Sequence, residues 1–101
     1  MSTLLNTSFF CSPSAESKVL HVLCKQWIPA CNTSGNGPAM LLRMPPEEGI
    51  VRLAVQTPFA DAESAENFRE KVLEPIGSEL LKALGENSYT HFSTLMEILN
   101  Y

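Results

Sequence analysis

Long apolar runs are missing from this chain; the longest are a few residues, far short of the roughly 20 that span a bilayer. No membrane span is expected. Basic charge is scarce too: seven Lys and Arg stand against eleven Asp and Glu, a net charge of −4, and the cations are scattered. A phosphate backbone needs a clustered basic footprint, which excludes nucleic acid as a partner. The opening MSTLLNTSFF has no basic n-region, and Asn6, Thr7 and Ser8 interrupt its hydrophobicity. A secretory leader is therefore not expected, and a cytoplasmic location is. Cys11, Cys24 and Cys31 are odd in number and contain no C-x-x-C pair, which fits reduced thiols better than a disulfide framework.

Chemical motifs are equally sparse. G-x-S-x-G, H-E-x-x-H, the P-loop and the Rossmann glycine pattern are all absent. The Gly-rich stretch SGNGP is a set of turn formers rather than a phosphate cradle. His21, Cys24 and Cys31 can share one helix face, yet zinc ligands come in tight couples, and no second pair is present. Metal and cofactor are both expected to be none.

What is present is the patterning of a globular domain, 45% hydrophobic and 18% charged over 101 residues, with no linker to divide it. One domain over 1–101 is expected. Residues 3 to 11 predict a strand. Ser12 and Pro13 then supply helix-start chemistry, and Leu20, Leu23, Trp27 and Cys31 draw one apolar face, with Pro29 expected to kink it. NTSGNGP (32 to 38) predicts a loop. AMLLRM and GIVRLAVQT predict a hairpin with a longer connection through PPEEG. Asp61 or Ser64 caps a second helix with the stripe Phe68, Val72, Ile76, Leu80 and Leu84, in which Pro75 invites another kink and GEN supplies the stop. Thr90 to Leu99 predicts the last strand. The order βαββαβ is the ferredoxin-like, α+β pattern: a four-stranded antiparallel sheet with two helices on one face.

Alternation assigns faces. Phe92, Thr94, Met96 and Ile98, with Val51, Leu53 and Val55, are expected under the helices. The other face is expected to carry Asn6, Ser8 and Phe10, then Arg52, Ala54 and Gln56, then Leu95, Glu97 and Leu99. Leucines interleaved with polar groups suggest a covered face, and a second copy of the sheet is the simplest cover. Phe10, Leu95 and Leu99 are the expected homodimer contacts.

KQWIPACNTSG, LAVQ and FSTLMEIL resemble a family of short bacterial proteins catalogued as a domain of unknown function, related to the dimeric α/β-barrel group of ferredoxin-like folds. The matching positions are Trp27, Ile28, Pro29, Gly35, Gln56, Phe92, Thr94, Leu95, Met96 and Glu97. The family's opening, aromatic-Asn-x-Thr, is represented by Leu5, Asn6 and Thr7, without the aromatic. The resemblance implies the fold and dimerisation but no reaction, since dimeric barrels include monooxygenases, haem proteins, stress proteins and simple binders.

Two functional expectations follow. The first is a dimeric ligand-binding or interaction module in which Asn6, Arg52, Gln56 and Glu97, with Trp27 as a further candidate, surround a small-molecule ligand, or in which these polar groups only satisfy one another across the dimer. The alternative is a cofactor-independent monooxygenase-like enzyme using Asn6, Trp27 and His91. Trp27 in the helix stripe points to packing, and His91 is expected as a surface residue at a strand entry.

Overall fold

The computed structural model describes residues 2–85 and 87–99. Strand β1 (Thr3–Cys11) is central, paired antiparallel with β3 (Ile50–Phe59) on one side and β4 (Tyr89–Glu97) on the other, and β2 (Met40–Glu47) pairs with the outer edge of β3. The order β2-β3-β1-β4 is that of the ferredoxin-like fold. Thr3, Leu5, Thr7, Phe9 and Cys11 alternate into the core, as do Val51, Leu53, Val55, Thr57 and Phe59 from β3. The helices cover that face.

Each helical path is built in three pieces. The first runs through α1 (Glu16–Val22), a π turn (Leu23–Trp27) and α2 (Ile28–Ser34). The second runs through α3 (Ala62–Phe68), a π turn (Arg69–Leu73) and α4 (Glu74–Leu84). In both, a proline occupies the second position after the π turn, Pro29 and Pro75. The expected kinks are replaced by these wider turns. A proline has no N–H for the carbonyl four residues back and its ring crowds that carbonyl; here those carbonyls belong to Lys25 and Lys71. One residue earlier, Ile28 N–H reaches Leu23 O and Glu74 N–H reaches Arg69 O, five residues back, so the backbone passes through each proline without leaving helical dihedrals.

The extra residue shifts the buried stripe. Val19, Leu23, Trp27 and Cys31 are buried from the first path, and Ala65, Phe68, Leu73, Gly77 and Leu80 from the second. The expected Val72 and Ile76 are only partly buried, because Phe68 is followed on the core face by Leu73, five positions on.

Other boundaries depart from expectation for local reasons. Ser12 bonds Ser14 side chain to side chain, and a preliminary turn (Ala15 N–H to Ser12 O, 3.0 Å) delays the helix to Glu16. Asp61 does cap α3, accepting from Ser64 N–H at 2.7 Å. Helix persists through Asn32–Ser34, which the sequence assigned to a loop, and Asn32 Oδ1 there accepts Ala39 N–H at 2.7 Å. The β2–β3 connection is a two-residue turn rather than a long one. Glu48 (φ 53°) and Gly49 (φ 77°) both take the positive φ of a tight hairpin, and an irregularity between Met44 and Glu47 absorbs the two prolines.

The face of β4 is the principal correction. Its register sets Cys11 opposite Tyr89, Phe9 opposite His91, Thr7 opposite Ser93, Leu5 opposite Leu95 and Thr3 opposite Glu97. Residues directly opposite share a face, so Tyr89, His91, Ser93, Leu95 and Glu97 lie on the helix side. Phe92, Thr94 and Met96 lie on the helix-free side, the reverse of the assignment from alternation. Ile98 and Leu99 follow the end of the strand, Ile98 N–H bonding Ser2 O at 2.9 Å.

Candidate functional site

The helix side of β4 creates a crevice. Only part of this edge strand lies beneath a helix, and near its start the two π turns approach it, leaving a space of about 210 Å³ between them and the strand. Trp27 closes the first π turn, Arg69 opens the second and Leu73 closes it, and β4 contributes His91 and Ser93. The widened turns thus supply walls from both helical paths. Such turns are frequent at functional sites.

The inner wall is aromatic. Trp27, 1% exposed, meets Phe9 edge-on with centroids 5.0 Å apart, and His91 stacks on Phe9 at 5.7 Å while lying 5.8 Å from Trp27. Tyr89 completes the cluster and donates from its hydroxyl to Gly77 O at 3.3 Å. Burial lowers the His91 pKa below that of an ordinary histidine, with Glu74 opposing weakly, so the ring is neutral at pH 7 and offers one N–H and one lone pair. Ser93 is bound to Thr7, hydroxyl to hydroxyl, at 2.9 Å.

One polar atom in this wall has no protein partner. Among the described residues Trp27 Nε1 is the buried side-chain nitrogen or oxygen left without a hydrogen bond, and a buried orphan donor carries a desolvation penalty of about 1–3 kcal/mol. At the mouth, Arg69 is engaged by Glu66, by Glu74 at 2.5 Å and by Glu70 at 3.6 Å. The Arg69 guanidinium holds the Glu66 carboxyl below the usual carboxylate range. The three carboxylates outweigh the single cation.

The remaining expected site residues divide between the two faces of the sheet. Asn6 and Gln56 do come together on the helix-free side, Gln56 Nε2 donating to Asn6 Oδ1 at 3.2 Å, and Asn6 Nδ2 in turn donates to Ser8 Oγ at 3.2 Å. Arg52 shares that face but turns to β2, donating to Pro45 O at 2.8 Å and pairing with Glu47 at 3.2 Å. Glu97 is on the opposite side and exposed, beside Thr3 and Asp61. The four do not form one pocket. Asn6 is likewise separated from Trp27 and His91 by the sheet, so the trio expected of a monooxygenase-like site is not assembled. His91, expected at the surface, faces the core. His21 and Cys24 are exposed while Cys31 is buried.

Phe10 lies on the helix-free face as expected, stacked on Phe92 with centroids 5.6 Å apart and planes 19° from parallel. Leu95 does not: it points to the helix side with Leu5. Leu99 lies past the strand, 63% exposed. Instead Met40, Leu42, Ile50, Phe92 and Met96 are the exposed apolar side chains of the helix-free face. Arg69 and Leu73 went unnoticed in the sequence because a π turn breaks the 3.6-residue period. The one available signal was a Lys-x-x-x-Pro spacing, shared by Lys25–Pro29 and Lys71–Pro75.

Sheet order and helix placement define an α+β protein of the ferredoxin-like fold. A scan against protein-family models and a search of curated proteins matched nothing to this chain. Solved structures do match. A dimeric ferredoxin-like protein from an uncultured marine organism is 11% identical, with 100% of this chain and 99% of that one covered and a TM-score of 0.68. A protein from Mycobacterium tuberculosis is 16% identical over 100% and 98%, also at 0.68. A dimeric ferredoxin-like protein of unknown function from Thermobifida fusca is 12% identical over 96% and 92%, at 0.58. Identities this low speak for the fold alone. Among the described residues, no helix is long and apolar enough to cross a membrane.

Proposed function

We propose that this protein is a homodimeric small-molecule-binding protein of the cytoplasm, with two copies joined through their helix-free sheet faces. The observation that carries the dimer is the exposed Phe10–Phe92 stack, set among Met40, Leu42, Ile50 and Met96 on a sheet face without a helix. An apolar patch of this kind on a small protein marks an interaction surface, and full burial of each large side chain contributes roughly 1.5–3 kcal/mol.

A second copy of the chain is the occupant this face favours. Its one central cation, Arg52, is already paired with Glu47 within the protomer, and Asn6, Ser8 and Gln56 bond one another. An identical face therefore meets no uncompensated charge. Two structures of the same fold are described as dimeric, and an isologous pairing uses each side chain twice. The three free cysteines accord with a reducing compartment. Asn6, Gln56 and Arg52 then serve the interface, and the ligand site is the crevice beside Trp27. Sedimentation velocity over a dilution series tests the dimer: a species of twice 11.1 kDa is expected, and a monomer at high micromolar concentration refutes it. Native mass spectrometry of freshly purified protein tests the binding role through any retained small molecule.

A further inference from the structure

We propose that the free edge of β4 takes up an extended, basic segment of a partner protein as a fifth strand, with two lysine or arginine side chains four positions apart on the helix side of the sheet. This inference goes beyond the dimer and the small-molecule role and depends on neither.

The two edges of the sheet are unlike. β2 is guarded: Pro45 and Pro46 remove two backbone donors, and its register breaks between Met44 and Glu47. β4, at the other end of the order β2-β3-β1-β4, keeps an unbroken register with β1 over nine residues and contains no proline, glycine or lysine. An unguarded edge of this length is a template for another strand. The hydrogen bond from Ile98 N–H to Ser2 O fixes which groups face outwards. In an antiparallel pair every second residue bonds its opposite number, so Met96, Thr94, Phe92 and Thr90 bond β1. The N–H and C=O groups of His91, Ser93, Leu95 and Glu97 therefore point to the free edge.

Those same four residues carry their side chains on the helix side. His91 and Ser93 border the crevice between the π turns, and Leu95 and Glu97 border a second of about 430 Å³ with Thr3, Asp61 and Ala62. Residues directly opposite across a ladder share a face. A strand added antiparallel to β4 thus sets alternate side chains over the two crevices, those opposite Ser93 and Glu97 being about 13 Å apart. Charge selects them. Asp61 and Glu97 border the second crevice and Glu74 the first, while Arg69, the one cation among the described residues lining either, already answers Glu66, Glu70 and Glu74. A second copy would bring the same acid groups and a net charge of −4 to this edge, whereas lysine or arginine meets a carboxylate at both places. The other face of the added strand continues the exposed row of Phe92 and Met96, which suits apolar residues between the basic ones.

The test uses the full-length protein labelled with ¹⁵N and three synthetic, terminally capped heptapeptides. KIVTKVT sets its lysines opposite Glu97 and Ser93, and EIVTEVT reverses both charges. A third form, KIVTKVT N-methylated at its third and fifth residues, keeps the side chains and blocks the ladder. KIVTKVT is expected to shift the amide peaks of His91, Ser93, Leu95 and Glu97 saturably, with EIVTEVT about tenfold weaker, as two reversed charge pairs require, and the N-methylated form unbound. Equal binding of EIVTEVT overturns the basic partner. Undiminished binding of the N-methylated form, or shifts confined to Phe10, Met40 and Leu42, overturns the added strand. Glu97→Lys changes an exposed side chain and should favour EIVTKVT over KIVTKVT by about threefold; an unchanged order sinks the alignment. If the outward amides of β4 are protected from hydrogen exchange without peptide, and more so at higher protein concentration, a second copy holds the edge and the proposal fails. No saturable shift overturns it as well, while the dimer and the small-molecule role stand or fall on sedimentation and native mass spectrometry.

Discussion

Gly77 of α4 stands against His91 so closely that a Cβ built on the glycine would lie 3.3 Å from the ring's Cε1 and 3.5 Å from Nε2. A side chain at that position would crowd the imidazole, which would have to give by a few tenths of an ångström. Beside the glycine the histidine is held among Phe9, Trp27 and Tyr89, with water partly excluded.

Stability should depend on that histidine in mildly acid solution. Burial lowers its folded-state pKa, so as pH falls the unfolded chain takes up the proton first, beginning near the ordinary value of about 6.5. Stability is complete above that pH and declines as pH falls towards the folded-state value. Carboxylates such as Glu66 and Asp61, whose pKa values are lowered, contribute their own loss in more acid solution. Urea midpoints at pH 7.5 and 5.5 should therefore differ for the parent protein and converge in His91→Gln; an unchanged difference in the variant assigns the effect elsewhere.

Gly35 should resist substitution for reasons of space alone. Its backbone is extended (φ −76°), which any residue adopts, but a Cβ there would meet Thr57 Cγ2 at 2.5 Å and Cys31 O at 2.9 Å. Gly35→Ala is expected to destabilise by about 1–3 kcal/mol, as overpacking does, seen as a lower denaturation midpoint. Full parental stability would show that α2 and β3 separate freely.

Asp61→Ala removes the acceptor for Ser64 N–H at the start of α3. A loss of about 0.5–2 kcal/mol is expected, while Asp61→Asn should retain most of the stability. Equal losses in both variants would implicate charge rather than the cap.

The register of β4 reverses which substitution breaks the proposed dimer. Phe10→Glu introduces a charge on the helix-free face and should yield a folded monomer by sedimentation. Leu95→Lys lies on the other side of the sheet and should leave the dimer in place. The opposite pattern would return the interface to Leu95.

The order of elements was legible because each carries its own period and punctuation. The face of β4 was not, since Phe92, Met96 and Ile98 make one apolar alternation and Leu95 and Leu99 another, and a strand shifted by one residue exchanges its faces. Tyr89 would have decided between them. It is 4% exposed and stands one residue before the expected start of the strand, and including it places Tyr89, His91 and Ser93 together inside. Asn6 and Gln56 could be paired from sequence because both lie on strands whose core faces are unambiguous. The crevice could not be found that way: it depends on Leu73 rather than Val72 turning inward, a step of five that no regular helix takes.

The two π turns also set the phase of everything that follows them. Since an α-helix advances about 100° per residue, one additional residue in a regular helix would rotate every later side chain by that angle, and each π turn absorbs that residue by closing its hydrogen bond five residues back. Lys25 and Lys71 mark equivalent points in the two halves of the chain, each exposed and each four residues before its proline. Losing either lysine would leave an ordinary α-turn there, with Phe68 and Leu73 four positions apart in the second path, and Cys31, or Gly77 and Leu80, still on the core face. Each helical path thus carries one residue more than its packing on the sheet requires, taken up by the wider turn that faces β4.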